Sequence, residues 1–217
     1  MNDKSICYIF GAGEYYLPPE NPKSEDLVIA ADGGYAYLKS IGITPDIVIG
    51  DFDSLGYIPC EEKTVALPQE KDVTDTAAAI ETGWSEDYRV FCIYGGTGGR
   101  IDHTIANIQC IADIAKRGGQ AYLIDKDFII TAVHNGEIRF KPLSKGCISV
   151  FSHSSISVGV NERGLKYSLS DASLSNVCPL GVSNEFTGES SSVSVGNGTL
   201  IVIYSKEAKL DSKGDKI

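Results

Sequence analysis

Short apolar runs alternate with helix-type patterns over the first ~125 residues, the signature of stacked βα units around a mostly parallel sheet. Ile6–Phe10, Leu27–Ala31, Ile47–Gly50, Thr64–Leu67, Val90–Tyr94 and Ala121–Ile124 read as strands. Between them, Tyr35–Ile41 reads as a short helix and the Ala-rich Thr74–Trp84 as a second. Ile101–Arg117 is the clearest helix: Ile101, Ile105, Ile108, Ala112 and Ala115 recur at helical spacing and predict one buried stripe. It ends in Lys116-Arg117-Gly118-Gly119, cations at the negative end of the dipole followed by a glycine stop. After Asp125 the period shortens. Phe128–Val133, Glu137–Phe140, Cys147–Phe151, Ser155–Val160, Val193–Val195 and Leu200–Tyr204 read as strands, punctuated by turns at Asn135-Gly136, Arg163-Gly164 and Asn197-Gly198. The expectation is an α/β N-terminal domain with a mostly parallel sheet over residues 1–130, then an all-β C-terminal sandwich domain over 131–217. The polar stretch 206–217 is expected to fray.

Charge and composition sharpen that division. The 217 residues carry 29 acids and 19 bases, a net charge of −10, which gives no drive toward nucleic acid or an anionic membrane surface. Residues 1–125 hold 20 of the acids and only 9 bases, so the first half could gather a divalent cation. Residues 144–194 hold 15 serines against 5 in residues 1–143, a second sign of two regions with different work. The six cysteines form no CxxC pair, and Cys7, Cys92 and Cys147 lie in apolar runs, where a thiol acts as a small hydrophobe. No secretory h-region or membrane-length apolar run is present, so the expectation is a reduced, cytoplasmic protein. His134 and His153 are expected to be structural.

Four segments bring chemistry to predicted strand ends, where open parallel sheets bind ligands. The first, Asp32-Gly33-Gly34, suits close approach of a ligand to backbone, or equally a helix N-cap with turn glycines. In the second, a strand delivers Asp51 and Asp53, and extended backbone would put both carboxylates on one side. A divalent cation would relieve their repulsion, and Mg²⁺ suits one or two carboxylates with phosphate oxygens. A calcium loop also aligns here, but Leu55 occupies an oxygen-ligand position and a strand precedes the loop. The third, Lys71-Asp72-Val73-Thr74-Asp75, opens a helix, so the dipole alone could explain both acids, while Lys71 adds a cation suited to phosphate. The fourth runs Gly95-Gly96-Thr97-Gly98-Gly99-Arg100-Ile101-Asp102-His103 into the long helix. Free N–H groups and a helix N-terminus there make an anion site, with Arg100 able to grip phosphate and His103 sharing a face with Asn107. No Walker P-loop is present, and Gly11-Ala12-Gly13 lacks the third glycine of a dinucleotide fingerprint. Carboxylates, a glycine cradle, Arg and Lys together are the inventory of phosphoryl-type transfer from a nucleotide.

In this order, Asp32-Gly33-Gly34, Gly50-Asp51-Phe52-Asp53-Ser54, Lys71-Asp72-x-Thr74-Asp75 and Gly95-Gly96-x-Gly98-Gly99-Arg100-x-Asp102-His103-x-x-x-Asn107 resemble the thiamine pyrophosphokinase family. Gly164-Leu165-Lys166-Tyr167 and Val182-Ser183-Asn184-Glu185 extend the resemblance over nearly the whole chain. It implies a catalytic α/β domain, a β-sandwich domain that binds thiamine, and a homodimer with active sites near the subunit interface. It implies transfer of the pyrophosphoryl group of ATP to the thiamine hydroxyl, with AMP leaving and Mg²⁺ as cofactor. By matching position, Asp51, Asp53 and Asp75 would hold Mg²⁺, with Asp72 and Asp102 as supporting carboxylates. Asp32, Gly33, Gly34, Lys71, Thr74, Gly96, Arg100, His103 and Asn107 would surround the nucleotide. Ser183 and Asn184 would meet the aminopyrimidine ring, although the pair alone reads as a β-turn; Tyr167 and Phe186 could offer aromatic faces to the thiamine cation. The alternatives are a phosphotransferase of this fold acting on another small alcohol, and a thiamine- or nucleotide-binding module without turnover.

Overall fold

The computed structural model describes residues 5–16, 19, 22–52, 56–59, 63–68 and 72–211. They form a mixed α/β fold in which parallel strands come first and antiparallel strands follow. The chain divides into two compact units, Met1–Cys110 with Ala121–Lys126, and Ile111–Gln120 with Asp127–Ile217.

The first unit contains β1 (Cys7–Phe10), β2 (Leu27–Ala31), α1 (Gly34–Ser40), β3 (Ile47–Gly50), β4 (Thr64–Ala66), α2 (Asp75–Ser85) and β5 (Val90–Tyr94). The helix α3 (Ile101–Lys116) and the strand β6 (Gln120–Ile124) follow. The strand order is β6-β5-β1-β2-β3-β4, and β5-β1, β1-β2, β2-β3 and β3-β4 pair in parallel. Every residue of β1, β2 and β3 is buried, which is why these strands read as unbroken apolar runs rather than alternating ones. Their register sets Phe10 beside Tyr94 and Ala30, Ala31 beside Ile49, and Gly50 beside Ala66. The C-terminal ends therefore line one edge.

Helix α2 packs on β1, β2 and β3. Thr74 caps it by accepting from the Ala77 N–H at 3.2 Å. Gly83 lets it lie close, since a Cβ there would come within 2.6 Å of the Cys7 sulfur. The buried stripe expected along α3 holds only in part. Ala112 and Ala115 are buried with Ile111 and Ile114, but Ile101 is 72% and Ile105 54% exposed. Helical spacing puts these residues on one face, yet among the described residues nothing covers Ile101 and Ile105 on that face.

The second unit is antiparallel. Its strands are β7 (Phe128–His134), β8 (Glu137–Phe140), β9 (Cys147–Ser152), β10 (Ile156–Arg163), β11 (Leu169–Ser175), β12 (Gly181–Glu185), β13 (Ser191–Ser194) and β14 (Thr199–Ser205). They lie in two orders, β12-β9-β14-β7 and β11-β10-β13-β8. The Asn135-Gly136 turn thus passes the chain from one sheet to the other instead of closing a hairpin. Phe140 anchors the core, edge-on to Phe186 at 5.3 Å and to Tyr204 at 5.0 Å. β11 and β12 escape the hydrophobic pattern because they are polar; β11 buries only Leu174. Cys7 and Cys92 are buried as expected of small hydrophobes, whereas Cys147 is exposed at the start of β9. No described helix is long and apolar enough to cross a membrane.

Candidate functional site

The C-terminal edge of the parallel strands collects the first two segments. Asp32 follows β2 with φ +48° and donates its N–H to the Ile49 carbonyl at 2.8 Å, which sets it beside Gly50. A Cβ on Gly50 would come within 3.1 Å of the Asp32 Cα. Gly34 is explained by packing: a Cβ there would overlap the Phe10 carbonyl, so α1 presses directly on the end of β1. Asp51 is half-buried immediately after β3. Phe52 then turns left-handed, at φ +58°, and buries its ring. The backbone after Asp51 is therefore not extended, and alternation does not decide where Asp53 points; Asp53 and Lys71 lie outside the described residues. Asp75 opens α2, half-buried in its first turn, while Asp72 is exposed before it.

The glycine-rich segment after β5 is clamped from behind. Gly11, Gly13 and Glu14 donate their N–H groups to the carbonyls of Tyr94, Gly95 and Thr97 at 2.8, 2.7 and 2.9 Å. Gly95, Gly98 and Gly99 have positive φ, and a Cβ on Gly95 would strike Tyr15, whose hydroxyl donates to the Gly11 carbonyl. Tyr15 stacks on Tyr37 at 3.5 Å, and burial raises its pKa. Two side chains tie the loop down. Asn107 donates its amide to the Gly96 carbonyl at 2.8 Å, fully inside, and Thr97 donates its hydroxyl to Asp125 Oδ1 at 2.6 Å. Asn107 is thus an internal strut of the loop. The N–H groups of Thr97, Gly98 and Gly99 meet no acceptor among the described residues, which leaves donors for an anion beside the α3 N-terminus.

Arg100 and Asp102 form a two-pronged pair, at 3.2 and 2.6 Å, with both side chains well exposed. The guanidinium holds the Asp102 carboxyl below the usual carboxylate range. So exposed a pair is weak and readily exchanged for a phosphate. His103 is exposed on the same first turn.

In the second unit the β12–β9 register slips between Gly181 and Asn184. Ser183 sits in that irregularity with φ +62°, exposed, its N–H donated to Ser149 Oγ at 3.1 Å. Asn184 turns inward. Its Oδ1 accepts from the N–H groups of Tyr167 and Glu185, both at 2.9 Å, and its Nδ2 donates to Glu162 Oε2 at 2.7 Å and the Tyr167 carbonyl at 2.6 Å. These contacts use the amide's whole hydrogen-bonding capacity. Ser183 and Asn184 thus lie in a strand, not in a β-turn. Tyr167 is 60% exposed, with Lys166 Nζ 5.4 Å from its ring centre, while Phe186 is buried against Phe140 and offers no free face.

Sequence reasoning passed over Asp125, Tyr15 and Glu162. Asp125 carried a usable signal, since it follows the apolar run of β6 as Asp32 and Asp51 follow theirs. Among the described residues no three His, Cys, Asp or Glu side chains form a metal cluster. Asp51 and Asp75 are nonetheless hard oxygen donors of the kind Mg²⁺ takes.

Two family models match the chain in succession: the thiamin pyrophosphokinase catalytic domain over residues 20–123, and the thiamin pyrophosphokinase vitamin B1 binding domain over residues 137–200. A thiamine pyrophosphokinase of Bacillus subtilis is 30% identical over 213 residues, spanning 94% of this chain and all of that protein. A Caenorhabditis elegans thiamin pyrophosphokinase is 25% identical over 73% of this chain and 71% of its own length. The crystal structure of the B. subtilis enzyme superposes with a TM-score of 0.80, at 30% identity, over 94% of this chain and 100% of that one. That of Geobacillus thermodenitrificans reaches 0.78, at 25% identity, over 93% and 98%. Sequence and fold agree over 94% of the chain, and the chain belongs to the thiamin pyrophosphokinase family.

Proposed function

We propose that this protein is a thiamine pyrophosphokinase, transferring the pyrophosphoryl group of ATP to the hydroxyl of thiamine and releasing AMP. What carries the reading is the strand-end edge of the first unit, where Asp32 and Asp51 share one rim with the glycine-rich loop. We assign residues 1–130 to an α/β domain for nucleotide and metal, and residues 131–217 to a β-sandwich that binds thiamine. The thiamine oxygen bonds to the β-phosphorus as the bridge to the α-phosphate breaks, and the hydroxyl proton passes to a base. Negative charge on the phosphate oxygens meets the N–H groups of Thr97, Gly98 and Gly99 and the guanidinium of Arg100. Asp102 releases Arg100 to that task. Lys71, Thr74 and His103 border the nucleotide in this reading, and Asn107 supports it by holding the Gly96 carbonyl. Asp51, Asp53 and Asp75 would hold Mg²⁺, which supplies neutralisation of phosphate charge, with Asp72 nearby. Ser183 and Tyr167 face thiamine.

A homodimer and a cytoplasmic location complete the proposal. The first rests on the family resemblance, the second on Cys7, Cys92, Cys110, Cys147 and Cys178 standing outside any disulfide among the described residues. The test is turnover of ATP and thiamine with Mg²⁺, followed by chromatography of thiamine diphosphate. Asp51→Asn and Asp75→Asn should each lower turnover by about a hundredfold or more while leaving the melting profile in place. Near-native turnover in either would remove that residue from the metal site.

A further inference from the structure

Glu162 occupies an inward position of β10, where the strand's alternation calls for an apolar side chain. It is 1% exposed. Among the described residues only one of its oxygens is engaged: Oε2 accepts from Asn184 Nδ2 at 2.7 Å, and Oε1 meets no partner. Burial raises its pKa. Ser191 Oγ, two residues along β13 from the Val193 that pairs with Glu162, is also buried with no partner among the described residues. A buried carboxyl with one bond is costly and contributes little to stability for that cost. Its single contact therefore points to specification of one arrangement.

That contact crosses from one sheet of the second unit to the other, since β10 and β12 lie in different sheets. At its far end, Asn184 holds the N–H and carbonyl of Tyr167 and adjoins the left-handed Ser183. Beside it, Lys166 N–H donates to the Glu185 carbonyl at 3.0 Å, and Leu165 pairs with Phe186. An amide can flip by half a turn with little change in shape. With Nδ2 fixed on the Glu162 carboxyl, Oδ1 must face the two backbone N–H groups.

We propose that Glu162 is a positioning residue that locks the Asn184 amide and, through it, presents Ser183 and Tyr167 to the thiamine ring. The proposal rests on the functional reading above for its ligand, though not for the lock itself. Glu162→Leu keeps most of the volume and removes the acceptor; Glu162→Gln keeps an acceptor oxygen in place. Steady-state kinetics of the full-length enzyme, with ATP and thiamine each varied, should give Glu162→Leu a KM for thiamine raised about tenfold or more. Its KM for ATP and its kcat should stay within about twofold, and Glu162→Gln should restore the KM for thiamine. Hydrogen exchange at the Tyr167 and Glu185 amides should quicken about tenfold in Glu162→Leu and remain native-like in Glu162→Gln. Glu162→Ala repeats both measurements if the leucine variant does not fold. An unmoved KM for thiamine, or equal rises in both KM values, overturns the proposal, as does unchanged exchange at Tyr167. A wild-type protein that makes no thiamine diphosphate would sink the functional reading alone, and the exchange measurement would still decide whether Glu162 holds the lock.

Discussion

Asn107→Ala separates a residue that touches nucleotide from one that holds the loop in place. In the native protein the Asn107 amide donates to the Gly96 carbonyl at 2.8 Å, and the pair is buried. Alanine leaves that carbonyl without a donor in a site too tight for easy repair. A Cβ at Gly96 would already come within 2.3 Å of Leu123, so the backbone has little room to move. An unsatisfied buried acceptor costs about 1–3 kcal/mol, and about 2 kcal/mol is expected here. With a urea dependence of about 2 kcal/mol per molar, the unfolding midpoint should fall by about 1 M. Asn107→Asp should be at least as damaging, because it sets a second acceptor against the carbonyl. Urea unfolding followed by circular dichroism gives the stability, and KM for ATP gives the site. A native midpoint together with a KM for ATP raised about tenfold would refute the strut and return Asn107 to direct nucleotide contact.

Thr97→Val removes the hydroxyl bonded to Asp125 and should cost about 1.5 kcal/mol in the same unfolding experiment, with Asp125→Asn costing less because its carbonyl oxygen still accepts. Gly34→Ala drives a methyl into the Phe10 carbonyl and should destabilise the first unit by about 1–3 kcal/mol; a native midpoint would contradict the close approach of α1 to β1. Burial raises the Glu162 pKa, so the folded state holds that proton more tightly than the unfolded chain does. The stability it confers is complete below the ordinary glutamate range and is lost as pH rises through the folded value. The stability of Glu162→Gln relative to wild type should therefore grow as pH rises above the ordinary glutamate range and level off once the raised folded value is passed, and a constant difference would contradict the upward shift.

The parallel strands were legible because burial on both faces makes them continuous apolar runs: Leu27–Ala31, Ile47–Gly50 and Val90–Tyr94 fall where the pattern puts them. Leu169–Ser175 and Gly181–Glu185 were not, since their serines, Asp171 and Asn184 carry almost no hydrophobic signal and strand pairing alone makes them β. In α3 the spacing identified a face, but the exposure of Ile101 and Ile105 depends on what surrounds that face. The carboxylates at strand ends could be read because Asp32 and Asp51 directly follow apolar runs. The internal bonds of the two asparagines were hidden for a common reason. Beside glycines or in a turn-like stretch they read as ligand contacts, whereas their partners, Gly96 for Asn107 and Glu162 for Asn184, are 11 and 22 residues away and meet them only in the fold. The extended path drawn from Asp51 to Asp53 failed at Phe52, whose buried ring accompanies a left-handed backbone that no alternation rule anticipates.

Phosphorus NMR of the purified protein with ATP, Mg²⁺ and thiamine, beside a control without thiamine, tests the account most directly. It predicts that AMP and thiamine diphosphate appear together and only when thiamine is present. ADP as the nucleotide product, or no change in the ATP resonances, would contradict pyrophosphoryl transfer to thiamine.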